Sequence, residues 1–253
     1  MRILIKIEYN GTGFGGWQKQ KNAVSVQEIL ENALEDLFKQ KITLVASGRT
    51  DAGVHALGQC AHFDINGKFD TKRLPQALNV RLPETIRVLL AKEVPNSFNA
   101  RFDVIDKTYI YKLYSSKVSS PVKENLYAHV PYELDLNKMQ SACKLFLGKH
   151  NFKGFCSQGS SVKTFEREIY SLKLEKYNNE FIFKINGNGF LYNMVRRIVA
   201  AIVEVGKGKL KESDIILALK DHENKHITKV MQPCGLYLNS VNYGEISSNF
   251  WTI

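Results

Sequence analysis

The sequence predicts an α+β fold of two ferredoxin-like (βαββαβ) units, with mainly antiparallel sheets packed into one body around a central cleft. Three observations lead there. Apolar residues make up 44% of the 253-residue chain and charged residues 24%, the mixture of an ordinary folded protein. β-prone runs and amphipathic stretches follow one another in the order β-α-β-β-α-β, and then do so a second time. No low-complexity or long flexible segment separates the two halves, which are read as domains at 1–103 and 104–253.

The first strand is 2–9 (RILIKIEY), rich in β-branched residues. A helix follows, because Val26, Ile29, Leu30, Ala33, Leu34, Leu37 and Phe38 form one apolar stripe at helical spacing. Ser25 and Glu28 supply a capping box at its start, hydroxyl and carboxylate serving two backbone donors that lack helical partners. Further strands fit 42–47, 58–64 and 85–94, with a short helix over 71–79. The second half offers strands at 104–115, 167–177, 180–186 and 235–243. Helices fit 135–147, 189–205 and 212–220, the last being additional to the repeated order.

Composition narrows the class of protein. The chain carries 35 Lys plus Arg against 25 Asp plus Glu, net +10. The excess is uneven, with 15 basic and 12 acidic residues in 1–110 against 20 and 13 in 111–253. Nucleic acid, anionic lipid and acidic proteins all suit such a surface. No apolar run reaches the roughly 18 residues of a membrane helix. The segment 190–205 comes nearest and is interrupted by Asn193, Arg196, Arg197 and Glu204. The opening Met1-Arg2-Ile3-Leu4-Ile5-Lys6 regains a charge too soon for a signal-peptide core, so no membrane association and a cytoplasmic location are expected. Cys60, Cys143, Cys156 and Cys234 are too scattered for a disulfide framework or a zinc ribbon. His222 and His226 have a helical i, i+4 spacing, but no acidic or cysteine partner completes a metal motif, and they read as solvated.

Gly11-Thr12-Gly13-Phe14-Gly15-Gly16 contains a G-x-G-x-x-G match after a strand. A dinucleotide site needs a helix that begins at that loop and aims its positive end at the pyrophosphate. Here the helix begins about nine positions late, so a nucleotide-dependent oxidoreductase is rejected. What remains is a tight turn carrying Trp17, Gln18, Lys19 and Gln20, a polar-aromatic loop suited to RNA backbone. The densest chemistry lies in Gly48-Arg49-Thr50-Asp51-Ala52-Gly53-Val54-His55-Ala56-Leu57-Gly58-Gln59. It sets a carboxylate, a guanidinium and an imidazole between two strands, with glycines that let backbone approach a ligand. The plain alternative is a tight turn in which Arg49 and Asp51 pair at the surface, worth under about 1 kcal/mol.

This block, with further markers in order, resembles the tRNA pseudouridine synthase A family over nearly the whole chain. The markers are Tyr9-Asn10-Gly11-Thr12 with Gly16-Trp17-Gln18, Val26-Gln27, Leu78-Asn79, Leu82-Pro83, Phe98-Asn99-Ala100-Arg101-Phe102 and Tyr109-Ile110-Tyr111. They continue with Gly148, His150-Asn151-Phe152, the run from Phe190 to Arg196, and Gly235-Leu236-Tyr237-Leu238. The resemblance implies isomerisation of uridine to pseudouridine at positions 38, 39 and 40 in the tRNA anticodon stem-loop. It also implies a homodimer. Asp51 matches the family's catalytic aspartate, which either attacks the ribose C1′ or abstracts the C2′ proton. Neither route requires a metal, a nucleotide cofactor or an energy source, and none is expected.

The remaining roles are carried over in the same way. Arg196 matches the arginine that pairs with the aspartate and opposes the pKa rise that desolvation imposes. Without the resemblance, Arg196 and Arg197 read as an exposed pair. Arg49 matches the arginine that supports the extruded nucleotide, whose unstacking costs a few kcal/mol. Tyr109 matches the tyrosine that stacks on the target base, the alternative being that Tyr109 and Tyr111 are both core aromatics; alternation along the strand is taken to let only one of them face the cleft, and Tyr109 is chosen. Leu236 is placed beside the uracil. His55 is read as bonding its own turn. Lys107, Asn99, Asn193 and Arg197 depart from the residues usual in the family, which bears on RNA contacts. A tandem RNA-binding module without catalysis is the competing reading. Asp51 discriminates, because a passive binder gains nothing from a carboxylate among phosphates.

Overall fold

The computed structural model describes residues 1–159, 162–222, 225 and 227–248. Its elements, in order, are β1 (Arg2–Tyr9), α1 (Val26–Phe38), β2 (Val45–Ala46), β3 (His55–Asp64), α2 (Leu74–Asn79) and β4 (Ile86–Val94). Then come β5 (Asp106–Ser115), β6 (Ala128–Val130), α3 (Leu136–Lys144), β7 (Gly148–Asn151), β8 (Glu166–Tyr177) and β9 (Glu180–Gly187). The chain continues with α4 (Met194–Gly206), α5 (Glu212–Asp221), β10 (Leu236–Asn242) and α6 (Glu245–Ser248). Every expected strand and helix has a counterpart. The additions are the short strands β6 and β7 and the single helical turn α6.

Packing groups Met1–Asp106 with Tyr237–Ile253, and separately Lys107–Leu236. The contiguous spans expected from sequence, 1–103 and 104–253, kept the last strand with the second half. That strand pairs in parallel with β3, Tyr237 opposite His55 and Leu238 opposite Ala56, which ties it to the first unit. Propensity and alternation identify a strand but not its partner.

In the first unit β1 pairs antiparallel with both β3 and β4, and β2 pairs antiparallel with β3, so the order is β4-β1-β3-β2. Ile3, Ile5, Ile7 and Tyr9 alternate along β1 and are buried. Helix α1 begins where the Ser25 hydroxyl accepts the Glu28 N–H (3.2 Å). It ends at Lys39, whose backbone is left-handed at φ 53°. Glu31 lies buried on its apolar stripe because it is satisfied there: its carboxylate accepts from the Leu44 N–H (3.0 Å) and the Gln27 amide (2.9 Å).

In the second unit β9 lies between β5 and β8, antiparallel to both, with β7 beyond β8 and β6 parallel to β5. Helix α4 is buried almost all round, and a Cβ at Gly206 would come within 2.6 Å of the Met139 side chain on α3. It starts five residues later than periodicity implies. Asn193 takes a left-handed conformation (φ 60°) and the Met194 N–H closes a turn on the Leu191 carbonyl (3.1 Å). Asparagine is among the residues that tolerate that region, so the apolar pattern runs through a break in the backbone.

Candidate active site

The segment from Ser47 to Val54 joins β2 to β3 in the first unit. Its turn closes where the Val54 N–H donates to the Asp51 carbonyl (3.1 Å), with Gly53 at φ 74°. Side chains alternate along it: Arg49 is exposed, Thr50 buried and Asp51 half-buried. The buried side is held by side chains from elsewhere in the unit. The Thr50 and Tyr9 hydroxyls share a 2.7 Å hydrogen bond. Ser47 Oγ donates to Gln59 Oε1 (2.6 Å), and Gln59 Nε2 donates to the Gly48 carbonyl (2.9 Å). Burial pushes the Tyr9 phenol well up, against the hydrogen bonds from Thr50 and Gln59, so it remains a neutral hydroxyl.

The glycine-rich segment 11–16 is the floor of this loop. A Cβ at Gly11 would stand 2.1 Å from the Val54 carbonyl oxygen, and one at Gly16 (φ 97°) 2.5 Å from that of Thr50. Only glycine permits that approach. The Trp17 N–H donates to the same Thr50 carbonyl (3.0 Å). Trp17 itself is buried against Tyr9, so the expectation that it joins an RNA-facing surface is corrected; Gln18, Lys19 and Gln20 of that loop are the exposed residues. His55 is buried, its Nδ1 accepts the Gly11 N–H (3.0 Å), and its ring stacks on Tyr237 with centroids 4.6 Å apart. Nδ1 is therefore the acceptor, and the backbone that His55 holds is the glycine-rich segment 44 residues away rather than its own turn.

The other site residues foreseen from sequence lie in the second unit. Tyr109 and Tyr111 stand two apart on β5 and share a face. Tyr111 is fully buried and donates to the Gln232 carbonyl (2.7 Å). Tyr109 is 9% exposed and meets Phe190 edge-on at 5.1 Å. Alternation does not separate the two, because residues two apart on a strand face the same way; the greater depth of Tyr111 does. Arg196 is half-buried at the start of α4, its Nε donating to the Met231 carbonyl and its Nη1 to Asn193 Oδ1, both at 2.7 Å. Arg197 is buried and donates to the Ile227 carbonyl (2.7 Å), so the two arginines are not an exposed pair. Leu236 is buried next to Gly235, where a Cβ would come within 2.7 Å of the Tyr111 ring. The strap 231–236 thus meets Arg196 at one end and Tyr111 at the other.

Sequence reasoning passed over Tyr9, Thr50, Gln59 and Asn193 as working parts. All four stood within quoted motifs, but the partners of the first three lie 41 and 12 residues away in the chain. Cysteine chemistry is disfavoured where burial acts: it pushes the Cys143 thiol up to about 12 and raises Cys234 as well. Among the described residues no group of three or more His, Cys, Asp or Glu is placed to hold a metal, and His226 lies outside them. No helix among them is long and apolar enough to cross a membrane.

A mostly antiparallel α+β scaffold that presents a braced Arg-Thr-Asp loop defines the class, and comparison with known proteins agrees. Residues 5–103 and 142–244 match the family model described as tRNA pseudouridine synthase. Relatives called tRNA pseudouridine synthase A include one from Caldicellulosiruptor bescii, 43% identical over 241 residues, covering 95% of this chain and 99% of the relative. One from Bacillus pumilus is 42% identical over 246 residues, covering 96% and 99%. Another, from Thermoanaerobacter sp., is 41% identical over 242 residues, covering 95% and 99%. The chain belongs to the tRNA pseudouridine synthase family, a family of isomerases.

Proposed function

We propose that this protein isomerises uridine to pseudouridine at positions 38, 39 and 40 of the tRNA anticodon stem-loop, with Asp51 as the reacting carboxylate. The C1′–N1 bond breaks, the uracil turns in place, C5 joins C1′, and the proton that C5 then loses is matched by the one that N1 gains, so the atoms balance. Asp51 either bonds C1′ and is later displaced, or removes the C2′ proton and returns it once the glycal is attacked. The observation that carries the reading is the loop itself. Ser47 and Thr50, the buried polar side chains of its inner side, are each held by a buried hydrogen bond, while Arg49 is exposed and Asp51 half-buried.

In this reading Arg49 supports the stem that the nucleotide has left, Tyr109 stacks on the uracil, Leu236 lines its pocket and Arg196 keeps the carboxylate ionised. The first domain carries the aspartate loop and the second supplies the tyrosine and the arginine. The two domains are taken as duplicated ferredoxin-like units. The β4-β1-β3-β2 order of the first, and the β5-β9-β8 order that repeats its core in the second, support this. A homodimer working on tRNA in the cytoplasm completes the proposal. The test is a chemical pseudouridine map of unmodified tRNA transcripts incubated with wild type and with Asp51→Asn. Wild type should modify positions 38–40, and Asp51→Asn should bind tRNA but leave them unchanged. Turnover by Asp51→Asn, or a wild type silent on every tRNA, refutes the reading.

A further inference from the structure

We propose that Tyr9 and Thr50 are a positioning pair for the reacting carboxylate: the bond between their hydroxyls fixes the backbone from which Asp51 projects. The inference rests on the reading of Asp51 given above. Thr50 immediately precedes Asp51, and its side chain is buried in the unit while Asp51 is only half-buried. Tyr9 reaches it from the end of β1, 41 residues earlier, with 2.7 Å between the oxygens. Both side chains are buried, as are Ser47 and Gln59, which brace the same segment at Ser47 and Gly48, three and two residues before Thr50.

Stability alone does not account for this choice. An apolar pair of the same shape, phenylalanine over valine, would fill the space at similar stability, because burying two hydroxyls gains little net free energy. A hydrogen bond adds what packing lacks, a preferred distance and direction, and a reacting group must be held to about half an ångström. The sheet is adapted to the contact. Along β1 and β3 the register slips between Ile7 opposite Gln59 and Tyr9 opposite Ala56, one extra residue in β3. Bulges of this kind re-aim side chains next to active sites. Tyr9 lies two residues beyond Ile7 on β1 and Gln59 pairs with Ile7, so both bracing side chains stand on one face of the sheet, while the extra residue sets Ala56 across from Tyr9.

The test is steady-state and single-turnover kinetics on unmodified tRNA for Tyr9→Phe, Thr50→Val and the double variant, each with its melting temperature. Each single variant should lose roughly 10- to 100-fold in kcat with KM within about twofold, the signature of a misplaced reacting group. The double variant leaves neither hydroxyl of the pair unpaired and loses only the Gln59 contact to the phenol, so its melting temperature should exceed that of Thr50→Val while kcat stays low. A double variant that turns over at the wild-type rate, or losses confined to KM, would overturn the positioning role. Asp51→Asn is assayed alongside. If it retains turnover, the reading of Asp51 fails and this inference with it. If it is inert while the double variant is fully active, only the inference fails.

Discussion

Replacing Gly16 with alanine should disable the enzyme from a position packed against the backbone of the Asp51 loop. The added Cβ would lie 2.5 Å from the Thr50 carbonyl oxygen and 3.0 Å from the Asp51 carbonyl carbon, with Gly16 at φ 97°. The conformation alone costs an alanine roughly 1–2 kcal/mol. Relieving the overlap moves one backbone segment by about half an ångström and endangers the Trp17 N–H to Thr50 bond, worth about 1–3 kcal/mol if its donor is left buried and unpaired. The total is roughly 2–5 kcal/mol of stability. A displacement of that size at Asp51 should also cost on the order of 10- to 100-fold in kcat. Gly13 is the control built into the same loop: it sits at φ 82° with nothing within 4 Å of an added Cβ. Gly13→Ala should pay the conformational cost alone and keep its kcat. Urea unfolding gives the two stabilities and single-turnover pseudouridine formation the two rates. Equal behaviour of the two variants would refute the claim that the glycine-rich segment braces the Asp51 loop by close backbone contact.

His55→Ala removes a ring stacked on Tyr237 and the acceptor of the Gly11 N–H; a loss of about 2–4 kcal/mol in urea unfolding is expected, and a wild-type midpoint would contradict the structural role. Asp64 tests the acid limb of stability. Its hydrogen bonds to Arg2 hold the carboxyl below its ordinary value of 3.8, partly opposed by burial. A lowered folded pKa stabilises above the unfolded value and ceases to as pH falls through the folded one. The pair is partly exposed, so Asp64→Asn should abolish less than about 1 kcal/mol of pH dependence below about pH 4 and leave the slope at neutral pH unchanged; an unaltered acid limb would contradict this.

How much could be read in advance varied with the range of the interaction. Helix α1 was legible almost to the residue, because an apolar stripe and a serine cap are local signals. Helix α4 was legible in kind but not in its start, because one left-handed asparagine stops the helix while the apolar pattern continues through it. Strand β2 shrank from six expected residues to two, since propensity does not reveal how much of a run finds a partner.

The site divides along the same line. Order and spacing of short motifs were enough to select the family, because those features are written in consecutive residues, and the resemblance then offered Asp51, Arg49, Tyr109, Arg196 and Leu236 as candidates. Only the folded chain disclosed that two glycines touch the back of the Asp51 loop, that Tyr9 bonds Thr50, and that Asn193 and a backbone carbonyl hold Arg196. Those are contacts of backbone shape and buried hydrogen bonds between residues distant in the chain, and no local pattern of residue types encodes which distant partner a buried polar group will meet.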